Sequence, residues 1–396
     1  MNILMIDYEY PPIGGGGGVF NKQLAESLAV RNYNITVLTS RYGSLPSVEM
    51  KNGVKIDRVP ITGRNDRNTA SIISMLSFFP ASLVRGYQLI KRNHFDLIHS
   101  FFAIPSAPSG LVMAKIFKLP HVVSILGGDI YDPSKRLSPH NTPLLKQIVK
   151  WVLSESDRVV SLSDDIQGRA EKHYTIAPRN IRKIFTGIPK PNFPTASRRQ
   201  YGLEENTKVV ISIGRLVARK AMHELIEAIH KVNDPMVRLI IIGDGPERAR
   251  LESWAAHLQL SDQVLFAGNV PDEDKFSLLS ISDVYASTST HEGFGIVFLE
   301  AMAAGLPIVC YNCGGQSDYL KSGANGFVVQ LGYQEGIIQG IRKLLSDSHL
   351  HADIRRYNRS YVKNFYILEC SQQYEQIYRE VVSENRILFR SHHENR

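Results

Sequence analysis

The 396-residue chain predicts an α/β protein of two domains, each a doubly wound, mostly parallel, Rossmann-like sheet. Three observations carry that prediction. Short apolar runs alternate with longer amphipathic segments through the first half. A proline-rich stretch without periodicity, Thr186-Gly187-Ile188-Pro189-Lys190-Pro191-Asn192-Phe193-Pro194, interrupts them, and the alternation restarts at Lys208. The length suits two domains with a core each. The boundary is therefore expected at the interruption, giving domains 1–187 and 188–369, with ligands at the strand C-termini.

In the first half, residues 3–6, 35–38, 54–59, 97–99, 122–126 and 159–162 read as strands. Helical spacing between them is set by Phe20, Leu24 and Leu28, and by Leu144, Ile148, Trp151 and Val152. The first strand leads into Tyr8-Glu9-Tyr10-Pro11-Pro12-Ile13 and five glycines, 14–18, ahead of a helix expected from Val19 or Phe20. Glycines such as Gly16 and Gly17 expose amides without side chains, so a ligand can approach the backbone, although the same run suits a floppy loop. It is neither a P-loop nor a clean dinucleotide fingerprint. After the fifth strand, the stretch Leu126-Gly127-Gly128-Asp129 leads towards Pro133, and Asp129 reads equally as a turn residue or a ligand contact. Residues 71–84 are the longest apolar candidate. They fall short of the roughly 18 residues of a membrane span, carry serines, and read as an amphipathic helix.

In the second half, the strand 208–213 ends in Gly214-Arg215-Leu216-Val217-Ala218-Arg219-Lys220. Arg215 and Lys220, a planar fork and a mobile point charge, suit a diphosphate; surface cations are the plain alternative. Strands at 238–242 and 263–267 run into the turns Gly243-Asp244-Gly245-Pro246 and Gly268-Asn269-Val270-Pro271. Residues 287–290 then lead to His291-Glu292-Gly293-Phe294-Gly295-Ile296-Val297-Phe298-Leu299-Glu300, with a helix over 298–303. The N–H groups near Gly295, Ile296 and Val297, at the positive end of that helix, make a phosphate seat. Glu292 and Glu300 are eight residues apart, about 12 Å along a helix. Carboxylates repel a phosphate, so each is expected to accept hydroxyls at the two ends of a longer ligand, such as a sugar joined through a diphosphate to a ribose. A solvated helix face is the bland alternative. Residues 308–310 read as a strand before Tyr311-Asn312-Cys313-Gly314-Gly315-Gln316. From Glu335 the pattern is helical, and the segment 370–388 puts Tyr374, Ile377, Tyr378 and Val381 on one stripe.

Composition narrows the classes. Three cysteines make no disulfide framework, so a reducing cytoplasm is expected. Cys310 and Cys313 form a C-x-x-C without nearby zinc ligands and read as a buried strand cysteine and a loop cysteine. The histidines, including His392 and His393, are scattered, so no metal is expected. The N-terminal apolar run, broken at Asp7, suits a strand and not a signal peptide. Residues 1–190 hold 24 Lys+Arg against 14 Asp+Glu, or +10; residues 191–396 hold 22 against 24, or −2, which sums to the net +8. The basic half suits an anionic membrane surface or an acidic acceptor, or is a scattered solvated surface. No nucleic-acid-binding pattern occurs.

The spacing from Glu292 to Glu300 resembles the E-x7-E signature of the family 4 retaining glycosyltransferases, whose GT-B fold sets two Rossmann-like domains facing across a cleft. The likeness runs over nearly the whole chain. The glycines 14–18 are similar to the family's proline- and glycine-rich loop that closes over donor and acceptor. Gly214 to Lys220 resembles G-R-L-x-x-x-K-G, with Ala221 where glycine is usual; Gly243-Asp244-Gly245-Pro246 resembles G-x-G-P, and Gly314-Gly315 the Gly-Gly loop. Two positions depart: Leu126 stands where many relatives have histidine, and Thr186-Gly187-Ile188 keeps only the glycine of Asn-Gly-Val-Asp.

The resemblance implies a metal-independent retaining transferase. It would move a sugar from a UDP- or GDP-sugar to a carbohydrate or lipid-linked acceptor, as in surface polysaccharide synthesis, with no cofactor. Arg215 and Lys220 would hold the departing diphosphate, and Glu292 the transferred sugar. Glu300 would hold the ribose and the Val270 backbone the base. Gly293, Phe294, Gly295, Ile296, Val297, Gly214, Gly243, Gly16 and Gly17 would line the donor, with Gly127, Gly128 and Asp129 on the acceptor side. The last helix, about 370–396, would return to the first domain. The rivals are a catalytically silent sugar-nucleotide binding protein, an isomerase or phosphorylase on the same plan and, more weakly, a dinucleotide-dependent dehydrogenase.

Overall fold

A computed structural model describes residues 1–67, 70–132, 137–177 and 180–394, with side chains as far as residue 387. Pro133 and the side chains of His392 and His393 lie outside that description. The chain divides into two compact units, Met1–Pro189 with Ile367–Arg396, and Lys190–Tyr366.

The first unit alternates β1 (Asn2–Asp7), α1 (Gly16–Val30), β2 (Asn34–Arg41), β3 (Val48–Lys51), β4 (Val54–Pro60), α2 (Ile72–Arg92), β5 (Leu97–Phe101), α3 (Ala107–Phe117), β6 (His121–Ile125), α4 (Pro143–Glu155), β7 (Arg158–Ser161), α5 (Asp164–Tyr174) and β8 (Ile181–Lys183). Its strands form one sheet in the order β3-β4-β2-β1-β5-β6-β7-β8, parallel throughout except for β3, which pairs antiparallel with β4. The order reverses between β1 and β5, so the loops leaving those strands flank a topological switch point.

The second unit runs β9 (Lys208–Ile213), α6 (Met222–Val232), β10 (Val237–Ile242), α7 (Arg248–His257), β11 (Val264–Gly268), α8 (Asp272–Ile281), β12 (Val284–Ser287), α9 (Ile296–Ala304), β13 (Ile308–Asn312), β14 (Gly326–Gln330), α10 (Gln334–Ser346) and α11 (Ser348–Tyr361). Its parallel sheet is ordered β11-β10-β9-β12-β13-β14, with the reversal between β9 and β12. Leu239, Ile241, Leu225, Ile229 and Ile337 are among the buried aliphatics between sheet and helices, the burial that holds such a layer together.

The final helix, α12 (Ile367–Glu394), belongs to the first unit. Tyr374 and Tyr378 are fully buried there: the Tyr374 hydroxyl lies 2.9 Å from Ser124 Oγ, and the Tyr378 hydroxyl 2.7 Å from His99 Nδ1.

Several boundaries differ from the sequence reading. Helix α1 begins at Gly16, not at Val19 or Phe20, because its first turn runs against Glu9. A methyl on Gly18 would sit 2.3 Å from the Glu9 carbonyl oxygen. Strands β3, β8 and β14 had no readable signal, being short or only partly buried on their residues. Residue 126 falls just beyond β6, and the helical tail from 335 is divided by caps at Asp347 and near Tyr366.

Candidate active site

In the second unit the loops leaving β9 and β12, which flank the switch point, carry Gly214, Arg215 and Lys220 on one side and Glu292 to Val297 on the other. Leaving β9, Gly214 donates its amide to Ile242 O at 2.9 Å and Leu216 to Asp244 O at 2.9 Å, so the loop is stitched to the end of β10. A methyl on Gly243 would lie 2.1 Å from Gly214 O, and one on Gly214 3.0 Å from Lys220 Cε. The glycines at both positions are therefore spent on close backbone packing and on the lysine stem. Arg215 lies exposed on this loop. A 3-10 turn over Ala218–Lys220 buries Lys220, and Ala221 takes φ 43° where a left-handed residue is required.

The loop after β12 is tied to the same turn. Thr290 donates its amide to Arg219 O at 2.8 Å, and the Thr288 hydroxyl to Ala221 O at 2.9 Å. Glu292 is held through its backbone: its N–H donates to Cys313 O at 3.2 Å, and Gly315 N–H donates to its carbonyl at 2.9 Å. Gly314, at φ 139°, makes that approach possible, since a methyl there would be 2.1 Å from Glu292 O. The Glu292 carboxylate, 6% exposed, contacts Lys220 Nζ directly and has Arg219 Nη1 at 3.7 Å. Burial alone would push this carboxyl up; the charges of Lys220 and Arg219 outweigh it and hold the group below the ordinary carboxylate range.

Gly295, at φ 85°, turns the chain into α9, so Ile296 and Val297 open the helix and present N–H groups at its positive end. The buried Tyr319 hydroxyl fixes this corner by donating to Phe294 O at 2.8 Å and Gly295 O at 3.1 Å. One turn into α9, Glu300 is buried and its Oε1 accepts from Lys275 Nζ of α8 at 2.8 Å; Lys275 also reaches Asp272 at 2.8 Å. Burial raises the Glu300 carboxyl, with Lys275 offsetting part of the rise. Tyr285 is fully buried, and burial foremost, then the charges of Glu292 and Glu300, oppose ionisation of its hydroxyl. The acids do not share one helix, because Glu292 precedes α9 in an isolated bridge with Gly314. Both carboxylates are also engaged by lysines, where the sequence reading expected only ligand hydroxyls. At the far side of β9, Gly243 N–H donates to Gly268 O at 2.8 Å, which sets the turn that carries Val270.

The first unit's candidates are arranged differently. The space beside Gly17 is filled by Phe102 and Leu126, whose carbons would lie 2.5 and 2.8 Å from a methyl there. The Glu9 carboxylate accepts the Gly15 amide at 3.1 Å, so the chain's own acid sits beside the start of α1. The amides and open space expected for a ligand are thus partly used by the fold, while Gly16 stays exposed. Asp129 is buried, and its carboxylate accepts three amides: Ala103 at 2.7 Å, Leu126 at 3.0 Å and Gly127 at 2.8 Å. Through Ala103 it clamps the loop after β6 to the loop after β5; its carboxylate takes up the Gly127 amide, and Gly128 lies exposed beside it.

Cys310 is buried in β13. Cys313 contacts Ser289 O and Gln316, and both cysteines are free thiols. Among the described residues, no group of three or more His, Cys, Asp or Glu could hold a metal, and no helix is long and apolar enough to cross a membrane.

Three contributors escaped the sequence reading. Arg219 looked like a surface cation beside Lys220, Lys275 is masked by the acidic run Asp272-Glu273-Asp274, and Tyr319 belongs to no motif. Only the i,i+3 spacing of Asp272 and Lys275 was available as a signal.

Comparison with known proteins bears on the family and the fold. Residues 194–361 match the model for glycosyl transferases group 1, and residues 14–190 that for Glycosyltransferase Family 4. The chain is 26% identical over 389 residues to N-acetyl-alpha-D-glucosaminyl L-malate synthase of Bacillus anthracis, covering 95% of this chain and 97% of the relative. It superposes on sucrose-phosphate synthase from Thermosynechococcus elongatus with a TM-score of 0.86 at 21% identity, covering 97% of this chain and 100% of that one. Anabaena HepE in complex with UDP-glucose gives a TM-score of 0.77 at 22% identity, covering 97% and 100%. The two Rossmann-like units have the GT-B fold, and the chain belongs to the family 4, group 1 glycosyltransferases.

Proposed function

We propose that this glycosyltransferase is a metal-independent, retaining enzyme that takes a sugar from a UDP- or GDP-sugar bound in its second unit. It passes the sugar to a carbohydrate or lipid-linked acceptor held at the strand ends of the first unit, as in surface polysaccharide or glycoconjugate assembly. The observation that carries the reading is the contact of Lys220 and Arg219 with the buried Glu292, which stands in the chain just ahead of the Gly295 turn into α9. HepE, a relative in fold, binds UDP-glucose, which supports the donor class.

Cleaving the bond between sugar and phosphate leaves charge on the diphosphate and positive character on the anomeric carbon. Lys220, Arg215 and the amides of Ile296 and Val297 are preorganised donors for the first charge. Glu292 steadies the second and accepts sugar hydroxyls. A diphosphate entering beside Lys220 competes with Glu292 for the ammonium, which frees the carboxylate for the sugar. Glu300, oriented by Lys275, accepts the ribose hydroxyls, and the Val270 backbone meets the base. In front-face retention the leaving phosphate oxygen takes the acceptor's proton, so no separate base is required. The fixed cations supply the charge that a divalent ion supplies elsewhere.

The test is to incubate the protein in EDTA with a panel of nucleotide sugars, with and without oligosaccharide or lipid-linked acceptors, and to follow release of nucleoside diphosphate. Release that requires an acceptor, with the anomeric configuration kept, supports the reading. Binding without release indicates a silent binding protein, and conversion without an acceptor indicates an isomerase.

A further inference from the structure

Phe102 holds a backbone conformation that its side chain disfavours. It follows β5 directly, and its φ of 69° lies in the left-handed region, which a bulky residue rarely enters. The other non-glycine residues with positive φ among those described are Asn, Lys, Thr, Ala and Gln, so Phe102 is the one large apolar side chain in that set. Strain of this kind persists where the surroundings over-determine it, and it collects at functional sites.

Buried polar groups supply that constraint. Phe102 donates its N–H to Ser124 O at 2.9 Å, and its carbonyl accepts the Ala107 amide at 3.2 Å. The buried Asp129 carboxylate takes the Ala103 amide on Oδ2 and the Leu126 and Gly127 amides on Oδ1. One acid therefore fixes the backbone at Leu126 and next to Phe102, and both of its oxygens are engaged in doing so. The two side chains meet at Gly17, where Phe102 Cζ and Leu126 Cδ1 would lie 2.5 and 2.8 Å from an added methyl. Only glycine at this position leaves room for both. All three residues remain partly exposed, and Gly16 and Gly128 are exposed.

Gly17 lies in the first turn of α1, and Phe102 and Leu126 follow β5 and β6. This surface thus sits at the strand ends around the reversal between β1 and β5, where a doubly wound sheet takes its ligand. Its chemistry is narrow. Phenyl and isobutyl groups neither donate nor accept hydrogen bonds. The charge beside the start of α1 is an acid, Glu9, whose Oε2 accepts the Gly15 amide at 3.1 Å. A ligand resting here meets apolar surface with negative charge nearby, which suits a neutral ring and opposes an anionic one.

We propose that Phe102 and Leu126 form the platform that receives the acceptor, and that it selects a neutral sugar whose ring turns a face of C–H groups towards the phenyl ring. Asp129 positions the platform and does not touch the acceptor. The proposal rests on the reading of the first unit as the acceptor side.

The test is saturation-transfer NMR on the full chain with methyl β-glucoside, methyl β-galactoside and methyl N-acetyl-β-glucosaminide, against methyl β-glucuronide. At least one neutral glycoside is expected to receive saturation, mostly at the C–H protons of one ring face, and at least about threefold more strongly than the glucuronide. Phe102→Gly keeps the left-handed backbone and removes the ring; it and Leu126→Ser are each expected to weaken the signal at least about fivefold. Glycine relieves the strain at position 102, so the thermal unfolding of Phe102→Gly should stay near the wild-type value. Val30→Ser, at an exposed site on α1, should bind like the wild type. The platform is overturned if no neutral glycoside receives saturation, if the glucuronide receives as much, or if either platform variant matches the wild type. Nucleotide release that depends on an acceptor yet is indifferent to Phe102→Gly overturns the platform alone. Release that never depends on an acceptor overturns the acceptor reading, and the platform with it.

Discussion

Lys220 of the loop after β9 and Glu292 of the loop after β12 meet as a buried ion pair across the switch point of the second sheet. Lys220 ends a 3-10 turn and Glu292 lies outside any helix or strand, and the two loops are joined by the Thr290 amide donating to Arg219 O and the Thr288 hydroxyl donating to Ala221 O. The pair is thus the charged end of a stitched seam, and most of the expected behaviour follows from it.

Removing one partner separates function from stability. Glu292→Ala and Arg215→Ala are each expected to lower transfer at least about a hundredfold, through lost electrostatic stabilisation. Glu292→Ala alone should also destabilise the fold, by roughly 3 kcal/mol if Lys220 is left buried without its acid, whereas exposed Arg215 should cost little. Urea unfolding and initial rates on the same preparations check this. The double variant Lys220→Met/Glu292→Leu should recover much of the stability and none of the activity.

The acid limb of stability carries the sign of Glu292. Its folded-state carboxyl lies below the ordinary value, so the unfolded chain binds the proton more readily in that window. The pair's contribution is complete above the ordinary carboxylate range and is lost as pH falls through the depressed value. Glu300 acts oppositely: burial raises it, so its contribution declines as pH rises above about 4.5. Unfolding free energy measured against pH should flatten on the acid side in Glu292→Gln. In Glu300→Gln it should hold or rise at neutral pH while donor binding weakens.

Lys275 is expected to position Glu300 for the donor. Lys275→Ala should raise the donor KM about tenfold, ~1.4 kcal/mol, with a smaller change in kcat, and Lys275→Arg should restore most of it. An equal fall in kcat and kcat/KM would indicate that the lysine acts on the transition state instead.

Gly314 sets Glu292 through backbone geometry alone. Gly314→Ala meets both a left-handed φ of 139° and the Glu292 carbonyl at 2.1 Å. A loss of at least about 2 kcal/mol in urea unfolding is expected. Gly168→Ala, in α5 with nothing within 4 Å of the added methyl, should be neutral or slightly stabilising.

The parts of this molecule that announce themselves in sequence are those with a local period or a local constraint. Residues 208–213 form a short, mostly apolar run that coincides with β9, and the glycines around 293–295 mark the turn into α9. What stayed illegible depends on distant partners. Lys275 looks like one charge in a solvated acidic run until α8 packs beside Glu300. Asp129 could be read as a ligand group or a turn residue, and only the folded loops show three amides on its carboxylate. The glycines 14–18 signalled an open loop, yet the distant side chains of Phe102 and Leu126 occupy the space beside Gly17. Helix α2 was legible only as amphipathic, since a sequence shows two faces without showing which one meets the core.

The most direct test of the central claim, that Lys220 and the start of α9 grip a diphosphate without a metal, is titration calorimetry with UDP, GDP and ADP in EDTA. The wild type is expected to bind at least one of them, and Lys220→Ala to bind it at least about tenfold more weakly. Failure of the folded wild type to bind any of the three, or equal binding by Lys220→Ala, would contradict the account.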